Sequence, residues 1–341
     1  MDTDPSLALS AEDAELVAGI LGRQRRALAR AITLVESTRP DHQVRARAVL
    51  KQLLPHSGQA DRCMRVGISG VPGVGKSTFI EALGMYLVDS GRRVAVLTVD
   101  PSSSLSGGAI LGDKTRMERL SQREEAFIRP TPTSGALGGV AGRTREAMLL
   151  CEAAGFEVII VETVGVGQSE TAVAGMTDVF VLMQLPNAGD DLQAIKKGIV
   201  ELADLVVFNK IDLDLQAAEN AALQMTSALH MLRPASPRWQ PRVLKVSATQ
   251  GLGIAAFWEA VEEHHGIMRE AGELASKRRH QALAWMWSLI ESGLHARFRQ
   301  HPTVKRQLPA LIAAVEAGKM PPGLAAESLL DAFKAPDSIL A

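Results

Sequence analysis

The run Gly70-Val71-Pro72-Gly73-Val74-Gly75-Lys76-Ser77-Thr78 reads G-x-x-x-x-G-K-S. Those residue types at that spacing suit a phosphate cradle. Glycines let the backbone curl until successive N–H groups point inward. Lys76 has the reach to set its ammonium on the β- and γ-phosphates, and the Ser77 hydroxyl is a ligand for Mg²⁺. Because the pattern is short, its flanks decide. Residues 64–69 read as a short buried strand, and Phe79, Ile80, Leu83 and Leu87 recur at helical spacing over 78–88. Strand, glycine loop and helix together aim a helix N-terminus at a phosphate.

A second stretch, Asn209-Lys210-Ile211-Asp212, follows the apolar run Leu205-Val206-Val207-Phe208. A carboxylate at Asp212 accepts from the N1–H and the N2 amino group of guanine. Adenine carries an acceptor at N1 and no amino group, so the same carboxylate rejects it. Asn209 can bond the Hoogsteen side, and the Lys210 stem can cover the base. Ser247-Ala248-Thr249 closes a later strand, where its backbone can meet the guanine O6. The bland alternative is an Asn and an Asp capping a helix after a strand.

Between these lie candidate metal and switch groups. Asp100 ends the strand run 94–99, and Glu162-Thr163-Val164-Gly165 ends the run 158–161. A carboxylate at such a strand end can hold Mg²⁺ directly or through water, and Gly165 can offer its N–H to the γ-phosphate. Most small GTPases carry Asp-x-x-Gly here, so Glu162 departs from that pattern and implies altered metal or water geometry. Asp113 sits in a Gly/Ser-rich region able to close over phosphates. A turn or helix-cap carboxylate is the competing reading for Asp100 and Asp113. Gly135, Gly138, Gly139 and Gly142 mark a second glycine-rich loop, and 186–198 runs from a turn into a helix with acids first and lysines later.

These groups need a scaffold. From 64 to 249 apolar runs alternate with helical periodicity, the mark of a mostly parallel sheet. Strands are expected at 93–99, 126–129, 157–163, 178–185, 205–209 and 243–247. Most are continuous apolar runs, as expected for strands covered on both faces. Ligands of open α/β sheets bind at the C-terminal strand ends, where the motif residues sit. Residues 6–56 read as helices with Arg23, Arg25, Arg26 and Arg30 among them, either a solvated face or a basic partner surface. Residues 251–334 return to helix. There Leu283, Trp285, Met286, Trp287, Leu289, Ile290, Leu294 and Phe298 are apolar on more than one side, which suggests an interface or core packing. His264-His265 reads as a solvated helix end rather than a metal site.

Composition narrows the class. The chain has 341 residues, 46% hydrophobic and 22% charged, with a formal net charge of −1. That balance argues against nucleic-acid or membrane-surface partners. No run of about twenty apolar residues suggests a membrane span. Two cysteines without C-x-x-C fit a reducing compartment. The acidic start carries neither a secretory nor a mitochondrial leader pattern, so a cytoplasmic location is expected.

With these residues in view, the sequence resembles the MeaB-like GTPases, also called the ArgK or LAO-transport family, which includes the methylmalonic aciduria type A protein. The resemblance is carried by 70–78, by Val99-Asp100-Pro101-Ser102-Ser103, and by the run from Gly107 to Met117. It continues through Ser134-Gly135-Ala136-Leu137-Gly138-Gly139, the run from Glu162 to Glu170, Gly189-Asp190-Asp191-Leu192-Gln193 and Asn209-Lys210-Ile211-Asp212. Arg25 to Thr33 and Ala284-Trp285-Met286-Trp287 look family-like outside the core. The resemblance implies an α/β P-loop NTPase of the signal-recognition/MinD-related class. It implies an N-terminal helical extension over 1–60, a GTPase domain over 61–262 and a C-terminal helical dimerisation extension over 263–341. By the same resemblance the chain is a homodimer that binds GTP, GDP and Mg²⁺. Its partner is an adenosylcobalamin-dependent acyl-CoA mutase, typically methylmalonyl-CoA mutase, whose cofactor loading it gates and which it protects. Asp100, Asp113 and Glu162 are then the metal and catalytic acids, and 186–197 a third switch loop.

Two other classes compete. A metallochaperone GTPase for a nickel enzyme needs a His/Cys cluster near the nucleotide domain, and eight scattered His with two lone Cys supply none. A phosphotransferase acting on a protein or small molecule would yield a phosphorylated product rather than free phosphate.

Overall fold

Short apolar runs become strands because Val, Ile and Leu on both faces of a parallel sheet can be covered on both sides. The computed structural model describes residues 9–57, 63–99, 117–131, 137–163, 169–186, 197–232, 234 and 236–334. The chain opens with α1 (Ala11–Leu21), α2 (Arg25–Glu36) and α3 (Pro40–Ser57). It continues through β1 (Met64–Gly70), α4 (Lys76–Asp89), β2 (Val94–Val99), α5 (Glu118–Ser121), β3 (Ala126–Thr131) and α6 (Leu137–Ala153). Next come β4 (Val158–Thr163), α7 (Ser169–Ala174), β5 (Val179–Gln184), α8 (Lys197–Val200), β6 (Leu205–Phe208), α9 (Leu215–Met231), β7 (Arg242–Lys245) and α10 (Ile254–Glu270). Helices α11 (Glu273–Gln300), α12 (Pro302–Glu316) and α13 (Pro322–Lys334) finish it.

The seven strands among the described residues form one parallel sheet in the order β3-β2-β4-β1-β5-β6-β7. β1 therefore lies inside, between β4 and β5. Alternate strand residues feed two cores. Leu97, Ile159, Val161, Phe180 and Val206 pack with residues of α1–α3, α6 and α9, such as Leu28, Ile32, Leu53, Met148 and Met225. Val66, Ile68, Val96, Ile160 and Val181 pack with residues of α4 and α10. There Phe79 meets Phe257 edge-to-face at 4.9 Å. The N-terminal helices thus share the core of the sheet. Ser10 caps α1 by accepting from the Asp13 N–H, and the Asp13 carboxylate takes the Arg45 guanidinium at 2.8 Å, joining α1 to α3. Among the N-terminal arginines, Arg30 bridges to Glu12 at 2.8 Å and Arg25 donates to the Arg123 carbonyl.

Contacts divide the chain into two units, 1–281 and 282–341. In the second, Phe298 packs edge-on against Phe333 at 5.5 Å. Along α11, Leu283, Met286, Trp287, Leu289, Ile290 and Leu294 are exposed. No described helix is long and apolar enough to cross a membrane.

Two local results depart from the sequence reading. His264 and His265 are not a solvated helix end; both are buried within α10. His264 lies edge-on to Trp239 at 4.9 Å and 3.5 Å from Asp204, and burial pushes the His265 imidazole down from its ordinary value. β3 also runs on to Thr131 through Pro130. Proline lacks the N–H for a ladder bond, but β3 is an edge strand and can spare it.

Glu146 on α6 offers a test of this packing. Burial pushes its carboxyl up to about 7, against the lowering pull of Arg143 and Arg47. The folded chain then holds a proton that the unfolded chain releases near 4.5. The resulting stability is intact below that value and is lost as pH rises to about 7. Glu146→Gln is expected to raise unfolding stability by roughly 1–3 kcal/mol at pH 8, with little gain near pH 4.5, in urea titrations at the two pH values.

Candidate nucleotide site

The two sequence motifs come together on one rim, where β1, β4, β5 and β6 end at their C-terminal sides. At the end of β1 the chain turns so tightly that a Cβ on Gly70 would stand 2.5 Å from the Met183 carbonyl oxygen of β5. Gly75 caps α4 in the left-handed region at φ 92°, and a Cβ there would strike Asn209 Nδ2 at 2.7 Å. Only glycine meets both demands. The N-terminus of α4 is thereby presented at the rim, with Lys76 and Ser77 in its first turn.

Lys76 is buried, and its Nζ donates to the Gly70 carbonyl at 2.7 Å and to that of Val71 at 3.4 Å. Burial holds its ammonium below the usual lysine range, while the carboxylates of Glu162 and Glu170 pull it back up. The Ser77 hydroxyl donates to Glu162 Oε1 at 3.3 Å, across from the end of β4. One step along that strand, Thr163 donates to the Ser69 hydroxyl at 3.0 Å, tying β4 to β1 on the opposite face. A hydroxyl and a carboxylate side by side are the hard oxygen donors that Mg²⁺ takes. The donor set present therefore fits the expected metal. Asp100, Asp113 and Gly165 lie outside the described residues, as do the glycine-rich stretch 132–136 and residues 187–196 of the expected third switch loop.

The expected base end is built from the turn after β6 and the turn after β7. Asn209 is buried and works as a strut: its Nδ2 donates to the Val74 carbonyl at 2.9 Å, and its Oδ1 accepts from the Ala248 N–H at 3.2 Å. Lys210 takes a left-handed backbone, φ 62°, and its Nζ donates to the Gly73 carbonyl at 2.8 Å. Its stem lines a hollow of about 180 Å³ with Leu185, Pro186, Leu213 and Asp214. Asp212 is exposed at the same turn. Ser247 is locked by a two-way backbone pairing with Leu252, and its hydroxyl lies 3.2 Å from that of Thr249. So Val71, Pro72 and Thr78 belong to the loop and helix start, and 247–249 faces them across Asn209.

One residue escaped the sequence reading. Glu170, near the start of α7, is buried and adds negative potential at Lys76. Its signal was its place in the same run as Glu162, without a role attached. Among the described residues no three of His, Cys, Asp or Glu gather as a metal centre.

Comparison with known proteins agrees with this geometry. The family model described as "Methylmalonyl Co-A mutase-associated GTPase MeaB" matches residues 28–303. A "Putative GTPase" of Caulobacter vibrioides is 53% identical over 329 residues, covering 96% of this chain and 99% of that protein. The mouse "Methylmalonic aciduria type A homolog, mitochondrial" is 48% identical over 327 residues, covering 94% of this chain and 79% of that one. A solved structure described as a LAO/AO transport system kinase superposes with a TM-score of 0.75 at 37% identity, covering 98% of this chain and all of that one.

Proposed function

Because the chain belongs to the MeaB family of methylmalonyl-CoA mutase-associated GTPases, we propose that its hydrolysis of GTP times the service of an adenosylcobalamin-dependent acyl-CoA mutase. The protein is a GTP hydrolase on a P-loop GTPase fold. One observation carries the reading best. A buried asparagine joins the phosphate loop to the turn that faces the base, so both ends of a guanine nucleotide are addressed from one rim.

The chemistry follows from positions. The loop N–H groups and the Lys76 ammonium meet the phosphates and stabilise charge as the γ-phosphoryl group leaves. Ser77 and Glu162 would hold Mg²⁺, with Asp100 and Asp113 as further acids of the same reading; the ion would neutralise phosphate charge. Asp100 or Asp113 would position the attacking water, and the Gly165 N–H would meet the γ-phosphate. Asp212 reads guanine, the Lys210 stem covers the base, and Ala248 and its neighbours meet O6.

Residues 61–262 would then form the GTPase domain, with 1–60 and 263–341 as helical extensions. The exposed apolar residues of α11 support a homodimer through the C-terminal extension. Methylmalonyl-CoA mutase is the proposed client, its cofactor loading gated by the switch and its holo form protected. Both cysteines are buried and free, which suits a cytoplasmic setting.

Phosphate release from GTP and from ATP, with and without cobalamin-loaded methylmalonyl-CoA mutase, tests the proposal. Turnover selective for GTP that rises with the mutase is expected. GTP turnover indifferent to the mutase would refute the client, and a preference for ATP would refute the base reading.

A further inference from the structure

Helix α7 begins just beyond the chain segment that follows Glu162, and it lies flush on the strand that carries the phosphate loop. A Cβ on Gly67 of β1 would stand 2.7 Å from Thr177 Oγ1 and 2.8 Å from Val173 Cγ1. The start of α7 holds buried Ser169 and Glu170, the latter felt by Lys76. Its far end is gripped from outside the sheet. Arg145 of α6 donates through Nη2 to the Gly175 carbonyl at 2.7 Å, and through Nη1 to the Gln281 carbonyl at 2.8 Å. The Gln281 amide donates back to the Thr177 carbonyl at 2.9 Å and to that of Ala174 at 3.5 Å. The ring of contacts closes on itself: α6, the end of α7 and the first turns of α11.

The same first turns are fixed to the sheet. Lys277 donates to the Asp178 carbonyl at 2.7 Å, and Arg278 grips the Asp178 carboxylate at 2.6 and 2.8 Å while reaching the Cys63 carbonyl at 2.7 Å. Lys277 and Gln281 are four residues apart, on one helix face. One turn of α11 is therefore anchored to the lower edge of the sheet, and the next turn is bonded to α7.

We propose that Arg145 and Gln281 form a joint that reports the position of α7, and through it the state of the nucleotide site, to helix α11. This rests on the GTPase reading. Helix α7 packs on β1, β4 and β5, and the buried Glu170 at its start adds negative potential at Lys76, so a change at the phosphate site is felt at that end of the helix. The joint passes a change at α7 into the backbone hydrogen bonds of α11.

Hydrogen exchange on the full chain, loaded with Mg²⁺ and either GDP or a non-hydrolysable GTP analogue, reads it directly. Nucleotide binding is first measured with fluorescent analogues. In the parent protein, exchange across 273–300 is expected to differ by about fivefold between the two states, the effect of one hydrogen bond made or lost. In Gln281→Ala and Arg145→Met the difference collapses while nucleotide affinity stays within about twofold, since the bonds described for both residues run to α7 and α11 rather than to the phosphate loop or the 209–212 turn. Gln281→Glu keeps the length of the side chain but turns a carboxylate toward the Ala174 and Thr177 carbonyls, and gives the same collapse should the alanine variant unfold. Equal exchange in the parent protein, or a difference kept in the variants, overturns the joint. Failure to bind either nucleotide overturns the GTPase reading itself, and the joint with it.

Discussion

Lys76→Ala is expected to lower kcat for GTP hydrolysis by about 10²–10³, the cost of removing one preorganised donor from developing negative charge. Its place in the structure accounts for the size of the effect. Its Nζ is buried against the Gly70 and Val71 carbonyls, at the point where the loop turns into α4. It is desolvated before any phosphate arrives, so little of its interaction is spent on shedding water. Ground-state binding falls less than turnover, because the loop N–H groups still hold the β-phosphate. Single-turnover phosphate release measures the first effect and fluorescent-nucleotide titration the second. A variant that hydrolyses GTP at the parent rate would remove Lys76 from the mechanism.

The second large effect is a change of base. Asp212→Asn is expected to weaken GTP by about 10²–10⁴: one hydrogen bond to a charged acceptor gives way to a donor–donor clash, and the other loses its charge. The amide keeps an acceptor and adds an N–H donor. Xanthine presents a carbonyl where guanine presents the 2-amino group, so the variant gains affinity for XTP as it loses GTP. Asp212 is exposed, so the fold is undisturbed, with stability within about 0.5 kcal/mol of the parent. Competition between GTP, XTP and ATP measures the exchange. Unchanged GTP affinity would move base recognition away from Asp212.

The scaffold was legible in the sequence where burial forces a pattern. Runs such as Val94 to Val99 and Val158 to Val161 are apolar throughout, and that reads as a strand whichever helices cover it. Boundaries failed where a residue's meaning depends on its place in the sheet: Pro130 ends a strand in the interior and extends one at the edge. His264 and His265 were misread because their partners, Asp204 and Trp239 among them, are remote in sequence. The phosphate loop and Asn209 to Asp212 were legible because their chemistry is local. Asn209 as a strut was not, since its bonds to Val74 and Ala248 span 135 and 39 residues. The joint at Gln281 escaped for the same reason: a glutamine in a long helix carries no sign that it will hold two distant carbonyls.

The strut also bears on fidelity. Asn209 ties the turn proposed to read the base to the loop proposed to grip the phosphates. A nucleotide with the wrong base that still docks by its phosphates has to tilt or displace the Asn209–Lys210 turn. The tilt passes at once to Val74 and Gly73, whose carbonyls that turn holds. On the proposed reading, a wrong base costs alignment at the γ-phosphate as well as occupancy. Discrimination against ATP is then expected in kcat as well as KM, so that raising the ATP concentration would not restore the lost rate.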